Sequence, residues 1–235
     1  MTGKKPDQPG LGEVPHYHGH RTRLRERFAQ NRDLVPDYEL LELVLFRTIA
    51  RGDVKGLAKE LIARFGSFAE VVAAAPELLE EVKGVGPAVI HDLKLIEQAA
   101  RRVALGDIRQ RPVLASYASV VDYCRTAMAF AEREEFRLLF LDKKNGLIGD
   151  EVMQRGTVDH TPVYPREIIR RALQLNASAI ILVHNHPSGD PSPSRADIEM
   201  TREIIALAVP LGVTVHDHLI VGRNGHSSFR ALGLL

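Results

Sequence analysis

Apolar and polar positions along this chain follow two different periods, and the change from one to the other divides it. In the first hundred residues apolar side chains recur three and four apart, as at Leu57, Leu61 and Phe65, the spacing that lines one face of an α-helix. This pattern predicts helices over Tyr38–Phe46, Val54–Phe65, Phe68–Ala74, Pro76–Val82 and Pro87–Leu105. A basic segment, His16–Phe28, precedes them, with Leu24 and Phe28 at helical spacing. After Gly106–Pro112, read as a linker, short apolar runs alternate with amphipathic stretches. Strands are expected at Phe136–Asp142, Leu147–Val158, Ser178–Val183, Val213–Val221 and Ser227–Phe229, the first two joined by an Asn145-Gly146 turn. Helices are expected at Tyr117–Phe130, at Arg166–Leu175 with Pro165 at its first position, and at Ser194–Val209. The expected organisation is a disordered lead (1–15), an all-helical domain (16–105), a linker (106–112) and an α/β domain (113–235) whose mixed sheet is sandwiched by helices.

Composition narrows the function classes. Thirty-one basic residues against 30 acidic ones give a formal net charge of +1, so no global field calls for a nucleic acid or a membrane, although local patches still can. Residues 1–15 lack an apolar signal-peptide core and no apolar run approaches a membrane span, so a cytoplasmic protein without membrane association is expected. One cysteine, Cys124, excludes internal disulfides and cysteine-rich zinc sites. It also excludes the zinc deaminases, which need Pro-Cys-x-x-Cys beside His-x-Glu. There is no Gly-x-Ser-x-Gly, and Cys124 has no nearby histidine in sequence, so nucleophilic catalysis is poorly supported. The tripeptide His-Asn-His does not by itself define an HNH nuclease.

The stretch richest in chemistry is His184-Asn-His-Pro-Ser-Gly-Asp-Pro-Ser-Pro-Ser194-Arg-Ala-Asp197, which follows the apolar run Ala179–Val183. Residues two apart in a strand share a face, so His184 and His186 present both imidazoles together. Asp197 falls in the first turn of the next helix, where its carboxylate can swing back. Two imidazoles and a carboxylate form a zinc set with the fourth position open to water. Ser194-x-x-Asp197 also reads as a capping box, and a capped first turn would fix the direction of the carboxylate.

His184-x-His186, seven residues, Ser194, two residues and Asp197 together resemble the JAMM (MPN-type) zinc metalloprotease signature. The surrounding Val183–Asp190 and Ser194–Asp197 are similar to the RadC family, historically labelled DNA repair proteins. The similarity extends to Arg155-Gly156-Thr157, Tyr164-Pro165-Arg166-Glu167 and Asp217–Gly222. The resemblance implies an MPN/JAMM fold, related to that of cytidine deaminases. It implies one zinc ion on His184, His186 and Asp197, with Ser194 stabilising the oxyanion. It also implies a glutamate at the start of the first strand as general acid/base. Glu135, directly before the apolar strand, is the expected residue, with Glu134, Glu151 and Glu167 in reserve. A second His-x-His, His216 and His218, has no serine–aspartate partner and is read as structural or near the site. His16, His18 and His20 are read as lying in a flexible region that forms no structured site, and His226 reads as a turn residue.

Among the first helices, Glu81-Val-Lys83-Gly84-Val-Gly86-Pro87 resembles the hairpin of a helix-hairpin-helix module, in which backbone amides hold a phosphate of DNA without reading bases. Lys83, Gly84, Gly86 and Lys94 are the expected contacts, with Arg21, Arg23, Arg25 and Arg27 as auxiliaries. Two functions follow. One is a zinc-dependent hydrolase cutting a peptide or isopeptide bond in a peptide or protein. The other is a DNA-binding repair or recombination protein whose MPN domain is a scaffold or acts on nucleic acid. The sequence leaves substrate and oligomeric state open.

Overall fold

The computed structural model describes residues 19–109, 112–156 and 164–235. The expected disordered lead, His16, His18 and Thr157 lie outside them. The chain divides into two compact units, one drawn from Met1–Val71 and Glu80–Asp92, the other from Val72–Leu79 and Leu93–Leu235.

The first unit is helical. It contains α1 (His20–Gln30), α2 (Asp37–Thr48) and α3 (Lys55–Phe65), followed by α4 (Phe68–Ala73). Three- and four-residue spacing puts Leu41 and Leu45 of α2 and Ala58 and Leu61 of α3 on buried faces where these two helices pack. A short helix α5 (Pro76–Glu80) and the hairpin Glu81–Gly86 lead into α6 (Pro87–Arg109). The expected linker is corrected here: residues 106–109 form the last turn of α6, because Ile108 is fully buried in the second unit's core and holds the helix past Gly106.

The second unit is built on five strands: β1 (Glu135–Leu141), β2 (Leu147–Arg155), β3 (Ala179–Asn185), β4 (Thr214–Gly222) and β5 (Gly225–Ser228). Their order is β2-β1-β3-β4-β5, with β3 and β4 parallel and every other neighbouring pair antiparallel. Helices α7 (Tyr117–Met128), α8 (Pro165–Gln174) and α9 (Arg195–Ala208) cover the sheet. Alternation along the strands sends Leu139, Leu141, Ile181, Val183, Leu219 and Val221 to one face, against α7 and Ile108. Phe136, Leu138, Phe140, Ile180 and Leu182 go to the other, against α8 and α9. β3 is covered on both faces, which accounts for its unbroken apolar run. This is the helix-sandwiched mixed sheet expected from the sequence. Among the described residues no helix is long and apolar enough to cross a membrane.

The β4 strand contains a bulge. Val215 pairs with Ile180 and Asp217 with Ile181, so His216 is an extra residue in the ladder. Simple alternation would put His216 and His218 together. The bulge separates their environments: His216 bonds Asn145 Oδ1 (2.7 Å) at the β1–β2 turn, whereas His218 turns towards β3 and α9.

Candidate metal centre

β3 ends and α9 begins around one cluster. His184 belongs to the face that carries Leu182 and Phe136, and His186, two residues on, follows the same side. The chain returns through Pro187–Pro193 to α9. There Ser194 caps the helix and closes the expected box: its Oγ accepts from the Asp197 N–H (3.1 Å), while Asp197 Oδ2 accepts from the Ser194 N–H (2.7 Å) and hydroxyl (2.6 Å). Oδ2 is thereby anchored, and Oδ1 points to His184 Nε2 at 3.3 Å. His184 Nε2 and His186 Nε2 are 3.0 Å apart, and His186 Nε2 lies 3.7 Å from Asp197 Oδ2. Among the described residues this is the one histidine–carboxylate group compact enough to hold a metal ion.

The donor set fits zinc. Ligands about 2.0–2.1 Å from a tetrahedral ion stand roughly 3.3 Å from each other, and the separations found here scatter around that edge length. His186 Nδ1 is 2.7 Å from the carbonyl oxygen of Asp190. A carbonyl only accepts, so Nδ1 carries hydrogen and Nε2 keeps its lone pair for a ligand.

Electrostatics distinguish the groups of the cluster. Burial pushes the His184 pKa down to about 4, more than Asp197 restores, so the ring is neutral at ordinary pH. Asp197 is pulled up by burial, but His186, His184 and the Ser194 bonds outweigh this and hold its carboxyl well below the usual range. Its hydrogen-bonding partnership with Asp197 raises the His186 pKa, against burial, with help from the Asp190 carbonyl and the charges of Asp197 and Glu134. The fully buried His218 is held well below the ordinary histidine range by desolvation first, then by His184.

Glu135 does not join this cluster. Its carboxylate pairs with Arg155 Nε (3.0 Å) and reaches Arg137 (4.0 Å), a buried guanidinium that also holds Asp150 at 2.6 Å. The reason is strand phase. Phe136 faces His184, so Glu135 falls with Arg137 on the opposite face. The reserve Glu151 is bound by Arg171 and Glu167 by Arg170. Glu134 is the glutamate whose charge acts on His186. Its backbone is bracketed by one side chain: Asn185 Oδ1 accepts from the Glu135 N–H (2.8 Å), and Asn185 Nδ2 donates to the carbonyl of Arg133 (3.1 Å). The Glu134 carbonyl itself accepts from Gly156 (2.8 Å). The sequence signal for Asn185 was its place between the two clustered histidines, on the opposite face by alternation.

The profile of the RadC-like JAB domain matches residues 114–234, just over half the chain. This chain belongs to the RadC family. The match covers β1 to β5 and the whole His184–Asp197 cluster, so the RadC domain is the unit that carries the candidate site. The wider JAB/MPN family includes hydrolases. The helical residues before 114 lie outside the RadC match. There Gly84 adopts φ +99°, the left-handed conformation a tight hairpin requires, and Lys83 is exposed beside it. Lys94, expected as a second phosphate contact, is engaged elsewhere: its ammonium donates to the Val72 carbonyl (2.9 Å) and pairs with Glu97 (3.0 Å).

Proposed function

We propose that the chain is a zinc-dependent hydrolase acting on a peptide or isopeptide bond, with His184, His186 and Asp197 as ligands and Glu134 as the acid/base. The observation that carries the reading is the set His184 Nε2, His186 Nε2 and Asp197 Oδ1, with ligand-edge separations and at least one imidazole already oriented by a carbonyl. Zinc bound there would supply a water whose pKa falls towards about 7 and a Lewis acid for the scissile carbonyl. Glu134, whose charge acts on His186, would serve as the general acid/base for that chemistry, taking up a proton and giving it to the leaving amine. Asn185 holds Glu134 in place by bonding the peptide groups on both sides of it. Ser194 orients Asp197. Its hydroxyl hydrogen is committed to Oδ2, so donation to an oxyanion requires the hydroxyl to rotate.

The test is metal analysis joined to a cleavage screen of the zinc-loaded full chain over peptide, isopeptide and nucleic-acid substrates. The expected result is one zinc per chain, lost in His186→Ala. Turnover of an amide substrate should fall about 10²–10⁴-fold in Glu134→Gln with zinc retained. Wild-type protein that takes up no zinc, or turnover indifferent to Glu134→Gln, overturns the proposal.

A second reading, a nucleic-acid backbone contact at the hairpin, is favoured by Gly84 at positive φ and the exposed Lys83 just before the start of α6. Lys83→Ala should weaken duplex DNA binding about equally across sequences and lower its salt dependence by roughly one ion. No binding by wild type at low salt removes this reading.

A further inference from the structure

Behind His184 stands a fully buried histidine for which the hydrolytic reading has no use. We infer that His218 and Thr201 are positioning residues that hold His184 as its Nδ1–H tautomer and leave Nε2 as the ligand nitrogen. This rests on the zinc reading of His184, His186 and Asp197.

The direction of each hydrogen bond follows from the one before it. Thr201 Oγ1 is 2.6 Å from the backbone carbonyl of Asp197, one turn earlier in α9. The carbonyl can only accept, so the single hydroxyl hydrogen goes there. Thr201 Oγ1 then accepts from His218 Nδ1 at 2.7 Å, which places the hydrogen of the neutral His218 ring on Nδ1. His218 Nε2 is left bare, and it lies 2.8 Å from His184 Nδ1. That nitrogen must donate, so the free lone pair of His184 is on Nε2, which faces His186 and Asp197. The chain begins on the backbone of Asp197 and returns to its carboxylate, so one turn of α9 supplies one ligand and sets the protonation of another.

The relay is walled by aromatic rings. Phe136 stacks on His184, with centroids 6.3 Å apart and planes 19° from parallel, and meets the His218 ring edge-on at 5.9 Å. Phe229 packs on the other side of His218 at 4.5 Å. A histidine of purely packing value could be an apolar ring here, with less desolvation cost. Both of its nitrogens are used instead, in the sense that a metal-ligating imidazole requires of its outer partner.

The test compares zinc dissociation constants, measured by chelator competition on the full chain, for wild type, His218→Phe, His218→Gln and Thr201→Val. Each unfolding midpoint is also recorded in excess chelator. His218→Phe should weaken zinc about 10–100-fold while its metal-free midpoint is kept or raised. His218→Gln should recover part of the loss, since an amide can accept from His184 and donate to Thr201. Thr201→Val should shift affinity in the same direction by less. A folded His218→Phe with wild-type affinity overturns the inference. If that variant does not fold, an unchanged affinity in Thr201→Val overturns it. Wild-type protein that binds no zinc overturns both this and the hydrolase reading, whereas zinc-binding wild type with indifferent variants overturns this one alone.

Discussion

Glu134 and Glu135 are joined by one peptide bond, yet their carboxylates serve different partners. Glu135 closes an ion pair with Arg155, and Arg137 stands beside it. Glu135→Gln should therefore leave zinc affinity and turnover close to wild type and lower stability by about 0.5–1 kcal/mol, the range of partly exposed ion pairs, measured by urea unfolding. Turnover abolished in folded Glu135→Gln would return the acid/base role to that residue. Cys124 is a second residue whose behaviour follows from its surroundings. Burial, the largest influence, pushes its thiol pKa from 9.0 up to about 12, so at pH 8 the thiolate is far scarcer than in an exposed cysteine. Native protein should be alkylated by iodoacetamide at pH 8 far more slowly than urea-unfolded chain, and mass spectrometry reads the difference. The clustering of His184, His186 and Asp197 was legible in the sequence because strand alternation and helix capping are local rules. Which of Glu134 and Glu135 acts on His186 was not, because a side chain's face depends on strand phase, and a shift of one residue reverses it.

At the scale of elements, the end of β4 grips the loop that carries His186. The His186 N–H donates to the Val221 carbonyl (2.9 Å), and the Asn224 N–H to that of Gly189 (3.3 Å). Gly222 makes this approach tolerable: a Cβ there would sit 2.4 Å from the Gly189 carbonyl oxygen, a backbone atom that cannot step aside like a flexible side chain. Gly222→Ala should cost about 1–3 kcal/mol as an overpacking change and weaken zinc by moving His186 away from Asp197. Thermal unfolding and chelator competition measure the two effects. Wild-type values in both would mean that the loop is not held as described. The strand–loop–helix order around the site was readable from its apolar run, its Pro/Gly/Ser stretch and the Ser194 cap. The β4 bulge was not, since nothing in Thr214–Gly222 departs from an alternating strand until Ile180 and Ile181 are set opposite it.

For the whole molecule, the instructive boundary is the one before the RadC match. The matched residues begin at 114, but the core under the sheet also takes in Ile108 of α6 and Val113. Ile108→Ala should destabilise the chain by about 2–5 kcal/mol, the range for emptying a buried aliphatic site, by denaturant unfolding. An effect below about 1 kcal/mol would place Ile108 outside the folding core. Reading Gly106 as the start of a linker missed this because a single glycine costs a helix only about 1 kcal/mol, which tertiary burial of one isoleucine exceeds. The α/β class was legible from the change of period alone.

The tripeptide His184-Asn185-His186 has a consequence for anyone moving this chemistry to another scaffold. Its outer residues join Asp197 in one cluster, and its middle residue reaches through the opposite side of β3 to grasp the chain around Glu134. On the zinc-hydrolase reading, grafting two histidines and a capped aspartate onto a foreign strand would transfer the ability to bind, without the means to turn over. A working graft needs a neighbouring strand for the asparagine to hold, so the smallest portable unit is two strands and a helix rather than a linear motif.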